Sequence, residues 1–162
     1  MSGYTKVFQV TVCAILLGIV AYILNSTSLA AERYDALIIE NDDGGNVEEY
    51  AQRIRAIPRS TLVAIAGVCS SACTMYLGHN RTCAYPDTVF SFHGPSDEVP
   101  GRALPQDEFN EISRLMAAHY PEPIRSWFMN TARYTLVGFH DRRGSEFIRL
   151  GLVEDCSRYT FS

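Results

Sequence analysis

The sequence predicts an α/β fold with a helical appendage, on three observations. Short apolar runs and helical periodicity alternate in strand–helix–strand–helix order through the first half of the globular region. The second apolar run, Thr61 to Val68, is continuous rather than alternating, as in a parallel strand covered on both faces. The second half then changes character and carries helical periodicity broken by prolines. The chain contains neither an internal repeat nor a low-complexity segment.

Each element has its own local reason. Ala36-Leu37-Ile38-Ile39 is a short β-branched-rich run that reads as a buried strand, and the Asn41-Asp42-Asp43-Gly44-Gly45-Asn46 turn follows it. Val47, Tyr50, Ala51, Ile54 and Ile57 recur at helical spacing until Pro58 stops the helix. After the Thr61–Val68 strand, Ser70 and Ser71 suit a helix N-cap, and Ala72 to Leu77 continues as a short buried helix ended by Gly78. Val89 to His93 reads as a strand whose alternation sends Phe90 and Phe92 to one face and Ser91 and His93 to the other. Gly94 to Pro105 is a loop rich in proline and glycine. Phe109, Ile112, Leu115 and Met116 mark one amphipathic helix, and Ile124, Trp127, Phe128 and Thr131 a second. Asp141-Arg142-Arg143-Gly144 leads into a short helix around Glu146 to Leu150, then the turn Gly151-Leu152-Val153.

Composition sets the class. At 162 residues the chain holds one domain with a real core, and 47% hydrophobic residues argue against disorder. A net charge of −4 without a basic run argues against nucleic acid as a partner. Of 14 basic residues, the only lysine is Lys6, so a lysine general base is nearly excluded.

Residues 7–24 form an apolar run preceded by Lys6, and Ser28-Leu29-Ala30 follows with small residues spaced for signal peptidase. Residues 1–31 therefore read as a signal peptide cleaved after Ala30 or Ala31. The alternative is an uncleaved anchor through residues 7–24, a run about as long as a minimal spanning helix. Both place residues 32–162 outside the cytoplasm: periplasmic or secreted in the first case, held at the inner membrane in the second. Cys13 lies in the leader, which leaves Cys69, Cys73, Cys83 and Cys156, an even set suited to disulfides in an oxidising compartment. Their three pairings stay open. Their spacing is not the paired C-x-x-C of zinc sites, so no metal is expected, and no other cofactor.

The chemistry-bearing pattern is Val68-Cys69-Ser70-Ser71-Ala72-Cys73 followed by Phe90-Ser91-Phe92-His93-Gly94-Pro95. A serine becomes a nucleophile when a base lies within hydrogen-bond reach, and neighbouring strand ends on one sheet edge supply that geometry. Upstream, Asp42-Asp43-Gly44-Gly45 offers backbone N–H groups that could face an oxyanion. In this order the segment from Leu37 to Cys156 resembles the Clp protease proteolytic subunit and the wider crotonase superfamily. It is most similar to small exported Clp-like proteins with a C-(A/S)-S-A-C serine motif.

The resemblance implies a crotonase/Clp-like spiral of β-β-α units. It also implies roles: Ser71, just before Ala72 and the helix, as nucleophile; His93 as base; Asp141, ahead of the Gly151-Leu152-Val153 turn, as orienting acid. The N–H groups of Gly45 and Ala72 would form the oxyanion hole. The segment between Asp141 and Gly151 is shorter than the family's usual one. Asp42 and Asp43 replace the proline or glycine that often precedes the double glycine, and their charge would oppose an oxyanion unless turned away. His79 and His119 read as surface or packing residues, and His140 as a reserve base.

The expectation is an exported serine hydrolase, a peptidase acting without ATP on peptides or unfolded chains, with assembly into a homo-oligomer as a further expectation. The alternative from another class is a non-catalytic crotonase-like scaffold whose groove binds a partner. Acyl-thioester chemistry fits poorly, because coenzyme A thioesters are cytoplasmic.

Overall fold

One long strand organises the molecule. In the computed structural model, which describes residues 33–97 and 102–161, β3 (Leu62–Ser70) carries β2 (Ala36–Asp42) along one edge. Its other edge is shared. The first half of β3 pairs with β4 (Thr82–Ala84) and the second half with β5 (Val89–Phe92), both parallel. Beyond β4 lies the short β7 (Glu154–Asp155), and beyond β5 lies β6 (His140–Arg143), the one antiparallel strand of this sheet. Two strands diverging from one edge curl the sheet. A separate parallel pair joins β1 (Arg33–Tyr34) to β8 (Thr160–Phe161). The result is a mixed α/β fold, as the element order predicts.

The helices follow the periodicity. α1 (Val47–Ala56) starts where the Asn46 side chain accepts from the Glu49 N–H at 2.9 Å. Glu48 and Glu49 sit in its first turn and Arg53 and Arg55 in its last, favourable at both ends of the dipole. Its Tyr50, Ala51 and Ile54 are buried. Ser71–Gly78 is a 3₁₀ helix rather than an α-helix, and six of its residues, Ala72 to Leu77, are buried. α2 (Gln106–Ala117), α3 (Ile124–Asn130) and α4 (Gly144–Arg149) complete the set.

The main core gathers Val63 and Ile65 of β3, Phe90 and Phe92 of β5, Met75 and Tyr76 of the 3₁₀ helix, and Tyr120, Phe128 and Phe147. Leu62 and Ala64 point to the opposite face and join Cys83 and Cys156 in a smaller cluster. The first half of β3 is thus covered on both faces, as its continuous apolar run requires. Its second half is not: Gly67 and Val68 are exposed.

The expected burial of β2 needs correcting. Among the described residues β2 pairs only with β3 and forms the sheet edge, and Ile38 is 53% exposed. The strand also extends to Asp42 across a bulge between Glu40 and Asp42. Five further strands, β1, β4, β6, β7 and β8, occupy segments where the sequence predicts none.

Cysteine pairing is resolved. Cys69 joins Cys73, and Cys83 joins Cys156, with Cα separations of 5.3 and 5.0 Å. All four cysteines are consumed, which leaves none of these thiolates for a metal and points to an oxidising compartment. Among the described residues no helix is long and apolar enough to cross a membrane. The expected leader, residues 1–31 with its apolar run 7–24, lies outside the described residues.

Candidate functional site

Ser71 stands where β3 ends. Ser70 pairs with Ser91 in the parallel β3–β5 ladder, so Ser71 is one residue past the last pairing on β3. His93 is two residues past it on β5. Neighbouring strands run about 4.8 Å apart, which brings the two side chains to one sheet edge. Both line a single cavity of about 710 Å³, together with Gly45. Leu104, Ile112 and Met116, on and just before α2, line it as well.

The serine's backbone is unusual. Ser71 has φ of 53°, a left-handed conformation that non-glycine residues rarely adopt. Such strain persists only where its surroundings over-determine it. Here the Cys69–Cys73 disulfide brackets the turn, and the Thr74 hydroxyl donates to the Ser71 carbonyl at 2.6 Å while sharing a 2.7 Å hydrogen bond with Tyr120. Capping does not account for Ser70 and Ser71. Ser70 occupies the cap position without a side-chain cap bond, and among the described residues the Ser71 hydroxyl makes no hydrogen bond. Ser71 is among the residues that line the cavity.

Gly44 presses directly on this turn. With φ of +86°, a Cβ there would lie 2.7 Å from the Ser70 carbonyl oxygen, 2.8 Å from Ser71 Cβ and 2.9 Å from the Ala72 nitrogen. Only glycine fits. The loop is delivered by Asn41, also at positive φ, whose Oδ1 accepts from the Val68 N–H at 3.1 Å over Gly67. Gly45, next in the loop, lines the cavity with Ser71. Among the described residues the Gly45 N–H has no partner, and Ala72 lies in the first turn of the 3₁₀ helix, where N–H groups have no intrahelical acceptor.

The aspartates ahead of the glycines do not face the cavity. Asp42 accepts from the Gly44 N–H at 2.8 Å and from the Tyr50 hydroxyl. Burial, and then that hydrogen bond to Asp42, push the Tyr50 hydroxyl pKa up. Asp43 is exposed.

His93 is part-buried, and its ring meets Phe139 edge to face at 5.1 Å. Burial lowers its pKa, and a backbone hydrogen bond at Gly94 opposes that in part. An imidazole held neutral is the form that accepts a proton. Gly94 is required beside it, since a Cβ would lie 1.7 Å from the Arg133 carbonyl oxygen.

Asp141 lies on the same face of the β5–β6 ladder as Ser91 and His93, directly opposite Ser91. His93 is its diagonal neighbour, a spacing of about 7–8 Å between Cα atoms. Its carboxylate accepts from the Ser91 hydroxyl at 2.7 Å and is absent from the cavity lining. Arg142 stacks over Trp127 and Arg143 reaches the Asp87 carbonyl, so neither adjacent arginine engages it. Among the described residues no hydrogen bond joins Ser71 to His93 or His93 to Asp141.

The other histidines fall elsewhere. His140 shares a 2.8 Å hydrogen bond with Thr135 and packs on Trp127, on the face opposite to His93. His79 bonds the Arg81 backbone and His119 the Leu115 carbonyl, both local contacts. The glycine-rich turn was expected as a whole, but the separate roles of Gly44 and Asn41 within it, and the bond from Ser91 to Asp141, were not. Asn41 and Gly67 carried a signal, because asparagine tolerates left-handed backbone and a lone glycine inside a strand marks close approach. No family model matches the chain, and no significantly similar curated protein was found.

Proposed function

We propose that this protein is an exported serine hydrolase, a Clp-like peptidase of the crotonase superfamily in which Ser71 attacks a peptide carbonyl. The observation that carries this reading is Ser71 itself, a serine in strained backbone with an unengaged hydroxyl, sharing one cavity with a half-buried histidine. His93 takes the serine proton and later returns it to the leaving amine. The N–H groups of Gly45 and Ala72 hold the tetrahedral oxygen. Asp141, one diagonal step away on the β5–β6 ladder, is the acid that orients His93.

The two disulfides support a periplasmic or secreted domain, either freed from residues 1–31 or held at the inner membrane by residues 7–24. No ATP is available there, so the substrates are peptides and unfolded chains. The exposed Leu37, Ile38 and Val68 support assembly into a homo-oligomer. The curled sheet around β3 is consistent with a crotonase-like spiral.

The reading is tested by turnover of an unfolded protein without ATP. Wild type should cleave it, and Ser71→Ala and His93→Ala should each lose several orders of magnitude. A second reading, a non-catalytic scaffold binding a partner in the same groove, is favoured by one observation. Asp141 is bonded to Ser91 rather than to His93. Absence of cleavage by the folded wild type would sustain the scaffold.

A further inference from the structure

We propose that the Ser71 cavity selects substrates carrying a lysine or arginine side chain next to the scissile carbonyl. This substrate class rests on the hydrolase reading and deepens it. The cavity has two kinds of wall. Val47 of α1 and Leu104, Ile112 and Met116 around α2 give an apolar surface, while Glu48 and Glu108, both exposed, also line it. Asp97 also lines it, but Arg102 pairs with that carboxylate at 3.0 Å. Among the described residues Glu48 and Glu108 have no ion-pair partner, and the cavity lining contains no lysine or arginine.

Those two walls match a side chain with an aliphatic stem and a cationic head. A lysine or arginine buries its methylenes along apolar surface and keeps its charge at the wet end. A leucine would use the apolar wall and leave both carboxylates without a partner. A glutamate would meet two like charges. Each exposed ion pair gives up to about fivefold, so the two carboxylates together should favour lysine over leucine by about tenfold.

The experiment is inactivation of the full chain by three peptidyl diphenyl phosphonates differing only in a Lys, Leu or Glu side chain beside phosphorus. A neutral fluorophosphonate is run alongside. The lysine compound should react about tenfold faster than the leucine compound, and the glutamate compound slowest. In the Glu48→Gln/Glu108→Gln double variant the Lys-to-Leu rate ratio should fall to near one. Glu108→Lys, which leaves Glu48 against one new cation, should narrow the gap between the lysine and glutamate compounds. Ratios taken within each variant cancel any general loss of reactivity. If the neutral probe labels Ser71 but lysine and leucine compounds react alike, the substrate class is overturned and the hydrolase reading stands. If neither the neutral probe nor any phosphonate labels Ser71, both fall.

Discussion

Replacing Gly44 by alanine tests whether the glycine loop sets the reactivity of Ser71. At φ of +86° an alanine costs about 1–2 kcal/mol for the left-handed backbone alone. The added Cβ would also sit 2.7 Å from the Ser70 carbonyl oxygen, where ordinary contact begins at 3.4 Å, so the serine turn must retreat by about 0.7 Å. Two of the three nearest atoms are backbone and cannot rotate away. A misplacement of about 1 Å costs on the order of 10²-fold in rate. Gly44→Ala should therefore lower the rate of fluorophosphonate labelling between tenfold and a hundredfold, with a stability loss of about 2–4 kcal/mol. Gly151→Ala is the matched control. Its φ is +69° and a Cβ there meets nothing within 4 Å, so it should lose about 1–2 kcal/mol and label at the wild-type rate. Circular dichroism of each variant confirms that labelling is read on folded protein. Folded Gly44→Ala labelling within twofold of wild type would refute the claim that this contact shapes the nucleophile.

The two disulfides should separate stability from reactivity. In the chain-entropy account, removing Cys83–Cys156, with a sequence separation of 73, costs about 4 kcal/mol, against about 2 kcal/mol for Cys69–Cys73 with its separation of 4. Denaturant unfolding of the two double-alanine variants should give that order, while probe labelling drops far more in the Cys69→Ala/Cys73→Ala protein. Burial lowers the His93 pKa, so the neutral base persists to lower pH than in a free imidazole. The labelling rate should therefore reach half its maximum below about pH 6.5, the midpoint of an ordinary imidazole; a half-maximal rate above pH 7 would contradict that. Asp141→Asn should slow turnover less than His93→Ala does, because a misoriented base still accepts a proton. An equal loss in both variants would make the carboxylate as essential as the base.

What was readable in the sequence follows from how locally each feature is determined. Val63 and Ile65 face one core and Leu62 and Ala64 another, so β3 announces itself by unbroken apolar composition. α1 is written by its own spacing, by Asn46 at its start and by Pro58 beyond its end. β6 could not be read. Its His-Asp-Arg-Arg segment is held as a strand by backbone pairing with β5, a partner some fifty residues away, and carries no apolar alternation. The burial expected for β2 failed for a related reason: apolar composition does not tell a central strand from an edge. The placement of Ser71 and His93 at one sheet edge was legible because each ends an apolar run and those runs pair in parallel. The hydrogen bond from Ser91 to Asp141 depends on the register of β5 against β6, which sequence alone does not set. The cysteine pairing likewise needed the fold, since β4 carries Cys83 to the side of Cys156.

The most direct measurement is the identity of the residue that a fluorophosphonate modifies. Peptide mapping by mass spectrometry of the labelled full chain should place a single adduct on Ser71, with none on Ser70 and none anywhere in the Ser71→Ala protein. An adduct on Ser70, or labelling of Ser71→Ala equal to wild type, would contradict the account.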